Sequence, residues 1–137
     1  MSLHLEIVTP EKKIFSGNVD NVYLPGADGE MGILPSHAGL LTALKPGELR
    51  YLRDGQVVTL AIGSGFAEIA QDKAIVLTDM ALGESEIDES ATEEAIKRAE
   101  EKLLNVEHSM DAEEAAYLQG IIARQSAALL FKRKHMH

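Results

Sequence analysis

The spacing of the apolar residues changes once along this 137-residue chain, between positions 82 and 89, and that change decides what it can fold into. Before it the pattern is one of short strands. Leu3, Leu5 and Ile7 alternate with His4 and Glu6; residues 57–62 are rich in β-formers; 66–70 and 74–78 are of similar length, with Gly63, Gly65 and Gln71-Asp72 as breaks. Asp54-Gly55 predicts a hairpin, because both central positions of the favoured two-residue turn take positive φ. Many short strands at regular spacing predict a sandwich or barrel.

After position 89 the period becomes helical. Ser90-Ala-Thr-Glu93 has capping-box spacing, and Ala91, Ala95, Ile96, Ala99, Leu103 and Val106 recur on one face. Asp111-Ala-Glu-Glu114 opens a second helix, with Ala115, Leu118, Ile122, Ser126 and Leu129 on a stripe. The link over 105–110 is short enough to force an antiparallel hairpin. The expected class is α+β: an N-terminal β-sandwich over 1–84 and a C-terminal antiparallel two-helix hairpin over 85–137. Alanine-rich faces supply little area, at roughly 25 cal/mol per Å² buried, so the hairpin is expected to be weakly held. Gly120 interrupts the second helix and is read either as a point of close helix packing, the favoured reading, or as a soft point where the hairpin can open.

Residues 25–51 hold glycines at 26, 29 and 32 and prolines at 25 and 35, which exclude a helix and, between the strand-like Val22-Tyr23-Leu24 and Leu40-Leu41-Thr42, predict a shaped surface loop. Net charge is −9, with 13 Lys plus Arg against 22 Asp plus Glu, so general binding to nucleic acid or an anionic membrane is not the expected function. The absence of cysteine excludes disulfides, thiolate chemistry and Cys-ligated zinc. The N-terminus does not read as a signal peptide, and no window approaches the roughly 20 apolar residues of a membrane span.

Charge is sorted along the helical half. Residues 86–114 carry eleven acids and three bases, whereas 115–137 have no acid and include Arg124, Lys132, Arg133 and Lys134. Helix-end electrostatics account for much of this. A basic helix end suited to an acidic partner surface accounts for the rest. His37, in the turn after Pro35 and Ser36, reads as structural or contact-forming. A hydrolase using His37 with Asp28 or Glu30 is a remote alternative, since neither Gly63-Ser64-Gly65 nor Asp79 fits a nucleophile elbow. The glycines around Asp28 and Glu30 are turn residues and not a phosphate or calcium loop. His135-Met136-His137 reads as a frayed tail, and no metal site is expected.

The segment Gly-Glu-Met-Gly-Ile-Leu-Pro-Ser-His-Ala-Gly-Leu-Leu-Thr-Ala-Leu-Lys-Pro-Gly, ending at Gly47, resembles the signature of the epsilon subunit of F-type ATP synthases, and Ala61-Ile-Gly-Ser-Gly-Phe-Ala-Glu-Ile69 resembles the family's next block. The resemblance extends from the first strand through the helical pair. It implies a non-catalytic, central-stalk (rotor) subunit that couples proton translocation to ATP synthesis by bridging the gamma subunit and the c-ring. The helices fold back, or extend toward the catalytic beta subunits and restrain hydrolysis. Association with the cytoplasmic face of the cell membrane then comes only through the complex.

Position by position, the resemblance places Glu30, Met31, Gly32, Ile33, Leu34, Pro35, Ser36, His37, Leu40 and Leu41 at the gamma and c-ring interface. It places Arg124, Lys132, Arg133 and Lys134 at the beta subunits. A rival reading makes the hairpin chiefly an ATP-sensing module, as in relatives with an Ile/Leu-Asp-x-x-Arg-Ala motif. Here Asp88 is retained and Arg98 matches a further basic position, but Ala91 and Thr92 replace Arg-Ala. Losing that guanidinium removes a charge-assisted contact of about 1.5 to 3 kcal/mol, or one to two decades in affinity. No ATP cofactor is therefore expected, and isothermal titration should show no micromolar binding; a micromolar Kd would contradict this reading.

Overall fold

The computed structural model describes residues 2–109 and 111–135, and the side chains of 2–105 and 111–135. Among them are strands β1 (Leu3–Val8), β2 (Lys13–Val19), β3 (Asn21–Gly26), β4 (Gly29–Ile33), β5 (Leu40–Leu44), β6 (Gly47–Arg53), β7 (Gln56–Ile62), β8 (Gly65–Ala70), β9 (Lys73–Thr78) and β10 (Ala81–Leu82). A 3-10 turn at Glu84–Glu86 leads to helices α1 (Glu89–Ser109) and α2 (Ala112–His135). The expected order of a β-sandwich followed by two antiparallel helices is present.

The strands pair in the order β10-β7-β6-β3-β5-β8-β9-β1-β2, with β4 added to β3. β3 and β5 meet at a single pair, Gly26 with Leu44. The sheet folds over at that thin join, so that β3, β4, β6, β7 and β10 face β5, β8, β9, β1 and β2. β1 and β9 run parallel, His4 opposite Lys73. Between the layers lie Leu3, Leu5 and Ile7 of β1 with Leu24, Leu49, Ile62, Ile69 and Val76, all buried. Most occupy the inward positions of alternating strands; on β7, Ala61 next to Ile62 is buried as well, under α2. At the rim, Phe15 of β2 stacks on Tyr51 of β6 with centroids 4.6 Å apart.

Turn chemistry follows the sequence. Asp54 and Gly55 have φ of 52° and 76°, and Gln71 and Asp72 form the same left-handed pair at 51° and 59° without a glycine. Residues 25–51 are not a loop. β4 zips against β3 from Gly29 to Ile33, and β5 pairs with β8 from Leu40 to Leu44, which leaves only 34–39 and the two-residue links 27–28 and 45–46 outside strands. Pro25 fits inside β3 because, lacking an N–H, it still accepts at its carbonyl from Lys45 N–H at 3.0 Å.

The helical half departs from expectation in several places. The first helix is capped by Asp88 and not Ser90: its carboxylate accepts from Ala91 N–H at 3.0 Å, and its carbonyl accepts from Thr92 N–H at 2.9 Å. The buried face of α1 is accordingly Thr92, Ala95, Ile96, Ala99 and Leu103, while Ala91 is exposed; the Val106 side chain lies outside the described residues. Asp111 caps α2 as expected, through Glu114 N–H at 3.1 Å. α1 continues to Ser109, so the link is shorter than 105–110. Ser126 is exposed, because α2 turns two different faces inward. Leu118, with Ile121 and Ile122, packs on Ala99 and Leu103, whereas Ala128 and Phe131 pack on Ala61, Met80 and Ile87 of the sandwich and its exit. A helix divided between two partners shows no single stripe.

Gly120 is exposed, and a Cβ built there meets nothing within 4 Å. Close packing is not its role. Gly120→Ala should therefore stabilise the fold by about 1 kcal/mol through helix propensity alone, raising Tm by roughly 3 to 5 °C in a thermal melt. A fall in Tm would mean that the position is held tightly after all.

Candidate functional site

Two surfaces gather the residues singled out in the sequence. The first is on the sandwich. Register places Ala43 opposite Phe66, Phe66 opposite Leu77, and Leu77 opposite Val8, so four apolar residues cross β5, β8, β9 and β1 in one outward row. Phe66 is 57% exposed and Leu77 52%. Leu41, two residues from Ala43 on the same side of β5, is 69% exposed. A cleft of about 350 Å³ lined by Val8, Thr9, Pro10, Ser64, Gly65, Leu77, Thr78 and Asp79 lies at the end of the row. An uncovered apolar strip of this kind marks a protein contact. Sequence reading reached Leu41 but missed Phe66, Leu77 and Val8. Their signal was available: on strands whose inward positions are already apolar, an apolar outward position is out of phase.

The turn before β5 is pinned by Ser36, whose N–H donates to the Asp72 carboxylate at the β8–β9 turn. Leu34 beside it is exposed, Pro35 half-buried, and His37 Nδ1 is 2.7 Å from its neighbour's carbonyl, Ala38 O. Glu30 lies on β4, gripped by Arg50 through two contacts of 2.8 and 3.2 Å, while Arg50 covers the Tyr23 ring at 4.4 Å. Gly32 makes room for that ring, since a Cβ there would lie 2.7 Å from Tyr23 Cε1. Three expected contact residues point elsewhere. Ile33 is 1% exposed and belongs to the core, and Met31 and Leu40 pack against it.

Hydrolase chemistry is not assembled. The Glu30 carboxylate is occupied by Arg50, and among the described residues no hydrogen bond joins His37 to Asp28 or Glu30. Ser64 does reach Asp79, at 3.3 Å, but the third partner is Arg124 at 3.4 Å and not a histidine. A Cβ on Gly63 would sit 1.8 Å from Asp79 Oδ1, so any larger residue there would have to displace that carboxylate.

The second surface is where α2 ends. Lys132 Nζ lies 2.9 Å from Glu84 Oε1, Arg133 reaches Glu89 at 2.9 Å and Glu93 at 2.5 Å, and Lys134 meets Glu48 at 2.9 Å. His135, expected in a frayed tail, is the last helical residue and contacts Glu48 at 2.5 Å; Met136 and His137 lie outside the described residues. Partial burial pushes the Glu48 carboxyl up, but hydrogen bonds from Lys134 and His135 outweigh it and hold it below the ordinary 4.5. The Glu89 carboxylate, opposed only by slight desolvation, and then Glu93, raise Arg133.

The structure does not bring Asp88 and Arg98 together, since ten residues of helix advance about 15 Å. Asp88 lines a cleft of about 230 Å³ with Leu82, Glu86, Ile87, Ala91, Thr92 and Gln125, a set that contains two carboxylates and no cation. Among the described residues no three His, Cys, Asp or Glu gather as for a metal ion.

Residues 2–84 match the family model described as the ATP synthase, Delta/Epsilon chain, beta-sandwich domain. The chain is 42% identical over 124 residues to the ATP synthase epsilon chain of Nitratidesulfovibrio vulgaris, spanning 90% of this chain and 92% of the relative. With that of Geotalea daltonii it shares 44% over 128 residues, 91% of this chain and 93% of the relative. Among solved structures it is similar, at TM-score 0.72 and 25% identity, to a chain of the Euglena gracilis mitochondrial ATP synthase OSCP/F1/c-ring assembly in rotational state 1, over 98% of this chain and 82% of that one. A chain of the Tetrahymena thermophila mitochondrial ATP synthase central stalk and c-ring shares the fold, at TM-score 0.53 and 16% identity over 63% of this chain and 69% of that one.

The Glu48 cluster sets a pH response. A carboxyl held down in the folded state adds stability above its unfolded pKa and loses it as pH falls through the folded value. Glu48→Gln should lower Tm at neutral pH by about 2 to 4 °C. The gap to the parent should close as pH falls below the ordinary 4.5. Calorimetry of both proteins across that range checks this, and a constant gap contradicts it.

Proposed function

The chain belongs to the family of ATP synthase epsilon chains, non-catalytic subunits of that complex, and from that premise we propose that it joins the gamma subunit to the c-ring at the base of the central stalk. In this role the sandwich carries proton-driven rotation toward ATP synthesis, and the helical half restrains ATP hydrolysis when it reaches the catalytic beta subunits. One observation carries the reading: the uncovered row of Ala43, Phe66, Leu77 and Val8, continued by Leu41, across a rigid sheet face. A strip crossing four strands transmits torque without needing a mobile loop.

The exposed part of the family signature, Glu30, Leu34, Ser36 and Leu41 with the half-buried Pro35 and His37, extends that contact surface; Ile33 supports it from the core. Among the described residues no helix is long and apolar enough to cross a membrane, so attachment at the cytoplasmic membrane face runs through the complex. Nucleotide sensing is not part of this proposal, because the cleft beside Asp88 presents carboxylates to any phosphate.

Size-exclusion chromatography with the gamma subunit tests the reading. The parent chain is expected to co-elute, and Phe66→Asp or Leu41→Asp to weaken the complex about tenfold or more while leaving Tm of the free chain nearly unchanged. A parent chain that elutes alone, or variants that bind like the parent, would overturn it.

A further inference from the structure

We infer that the last turns of α2 form an electrostatic latch, opened by salt, that keeps the helix's cations paired with acids of this chain while the hairpin lies on the sandwich. Every cation predicted from the sequence to meet an acidic partner already meets an acid of this chain. Lys132 pairs with Glu84, Arg133 with Glu89 and Glu93, Lys134 with Glu48, and Arg124 with Asp79, while His135 also contacts Glu48. Lys132 in addition donates to the Glu84 carbonyl at 3.2 Å. The acids come from β6, the strand end after β9, the 3-10 turn and α1, so the latch closes the sandwich, its exit and both helices at once.

Two features make this a latch and not simply a packed interface. The apolar contact beneath is small, with Ala128 and Phe131 the buried residues α2 places against Ala61, Met80 and Ile87. Beside it a cleft of about 320 Å³, lined by Pro46, Glu48, Ser126, Leu130 and Lys134 among others, opens between α2 and the start of β6. Solvent therefore reaches the Glu48–Lys134 pair, and Arg133 and Glu93 are half exposed as well; pairs in contact with solvent are screened by salt where buried ones are not. The helix cannot neutralise itself, because 115–137 contain no acid. Lifting α2 frees its cations together and uncovers four glutamates together, which couples the pairs into one step. The latch rests on the geometry of the free chain; only the competition between latch and partner rests on the complex proposed above.

The chain has no cysteine, so thiols introduced by Gln56→Cys on β7 and Ala123→Cys on α2 can carry spin labels on the full-length protein without background. Distance distributions between the labels are expected to be dominated by one seated population at about 0.05 M chloride. The detached fraction should rise at least about threefold at about 1 M chloride. Glu48→Gln with Glu84→Gln should raise the detached fraction at low salt and flatten the salt response. Glu48→Lys should detach the helix, and adding Lys134→Glu should reseat it, which separates a charge effect from a folding defect. A helix equally seated at both salt concentrations, one already detached at low salt, or a charge swap that fails to reseat it would overturn the latch. Each outcome is read on the free chain, whether or not it co-elutes with the gamma subunit.

Discussion

The placement of the helical half combines ion pairing, between the acid-free end of α2 and glutamates spread over the rest of the chain, with a small apolar contact of Ala128 and Phe131 against Ala61, Met80 and Ile87. The hairpin's internal core is small as well. It holds two buried residues, Ala99 and Leu118, with partly buried neighbours, and alanine contributes little area on burial. The sandwich, in contrast, carries long aliphatic side chains at almost every inward position. Stability is therefore unevenly distributed: a rigid β half and a helical half whose attachment is made of solvated contacts, the class of interaction most easily traded for an equivalent one elsewhere. Helix dipoles add to the arrangement, since the basic end of α2 lies against the acidic start of α1.

What was legible in the sequence was whatever local chemistry decides. The Asp54-Gly55 turn, the Gln71-Asp72 break, the alternation of Leu3, Leu5 and Ile7 and the β-rich runs 57–62, 66–70 and 74–78 all follow from backbone sterics and local propensity. Errors arose where a distant partner decides. Ser90 has capping-box spacing, yet Asp88 caps α1, because Ile87 must be buried against Ala61 and Phe131 and this sets where the chain turns into helix. Ser126 was placed on an apolar stripe, but α2 divides its inward faces between α1 and the sandwich. Gly120 offered two readings from sequence alone, and only the empty space around it separates them. Between the strand-like 22–24 and 40–42 the glycines and prolines predict a loop, yet β3 continues to Gly26 and β4 pairs with it from Gly29 to Ile33.

The candidate surfaces divide in the same way. Leu41 and Leu34 were accessible because the resemblance pointed to the signature, while Phe66 and Leu77 became visible only when register aligned them in one row. The basic residues of α2 were found from charge sorting, but Glu48, the acid shared by Lys134 and His135, lies 86 positions from Lys134 and has no local signal. With both surfaces in place the molecule reads as a rigid binding face joined to a detachable arm. Family membership supplies the setting, the ATP synthase complex, in which the restraint of hydrolysis proposed above would give such an arm a use.

The most direct test is steady-state ATP hydrolysis by the reconstituted catalytic sector, with the full-length chain and with a form truncated after Glu84. A higher rate with the truncated form, both forms being bound, is the result expected if the helical half restrains the enzyme. Equal rates with both forms bound would contradict it and leave the sandwich alone as the working part.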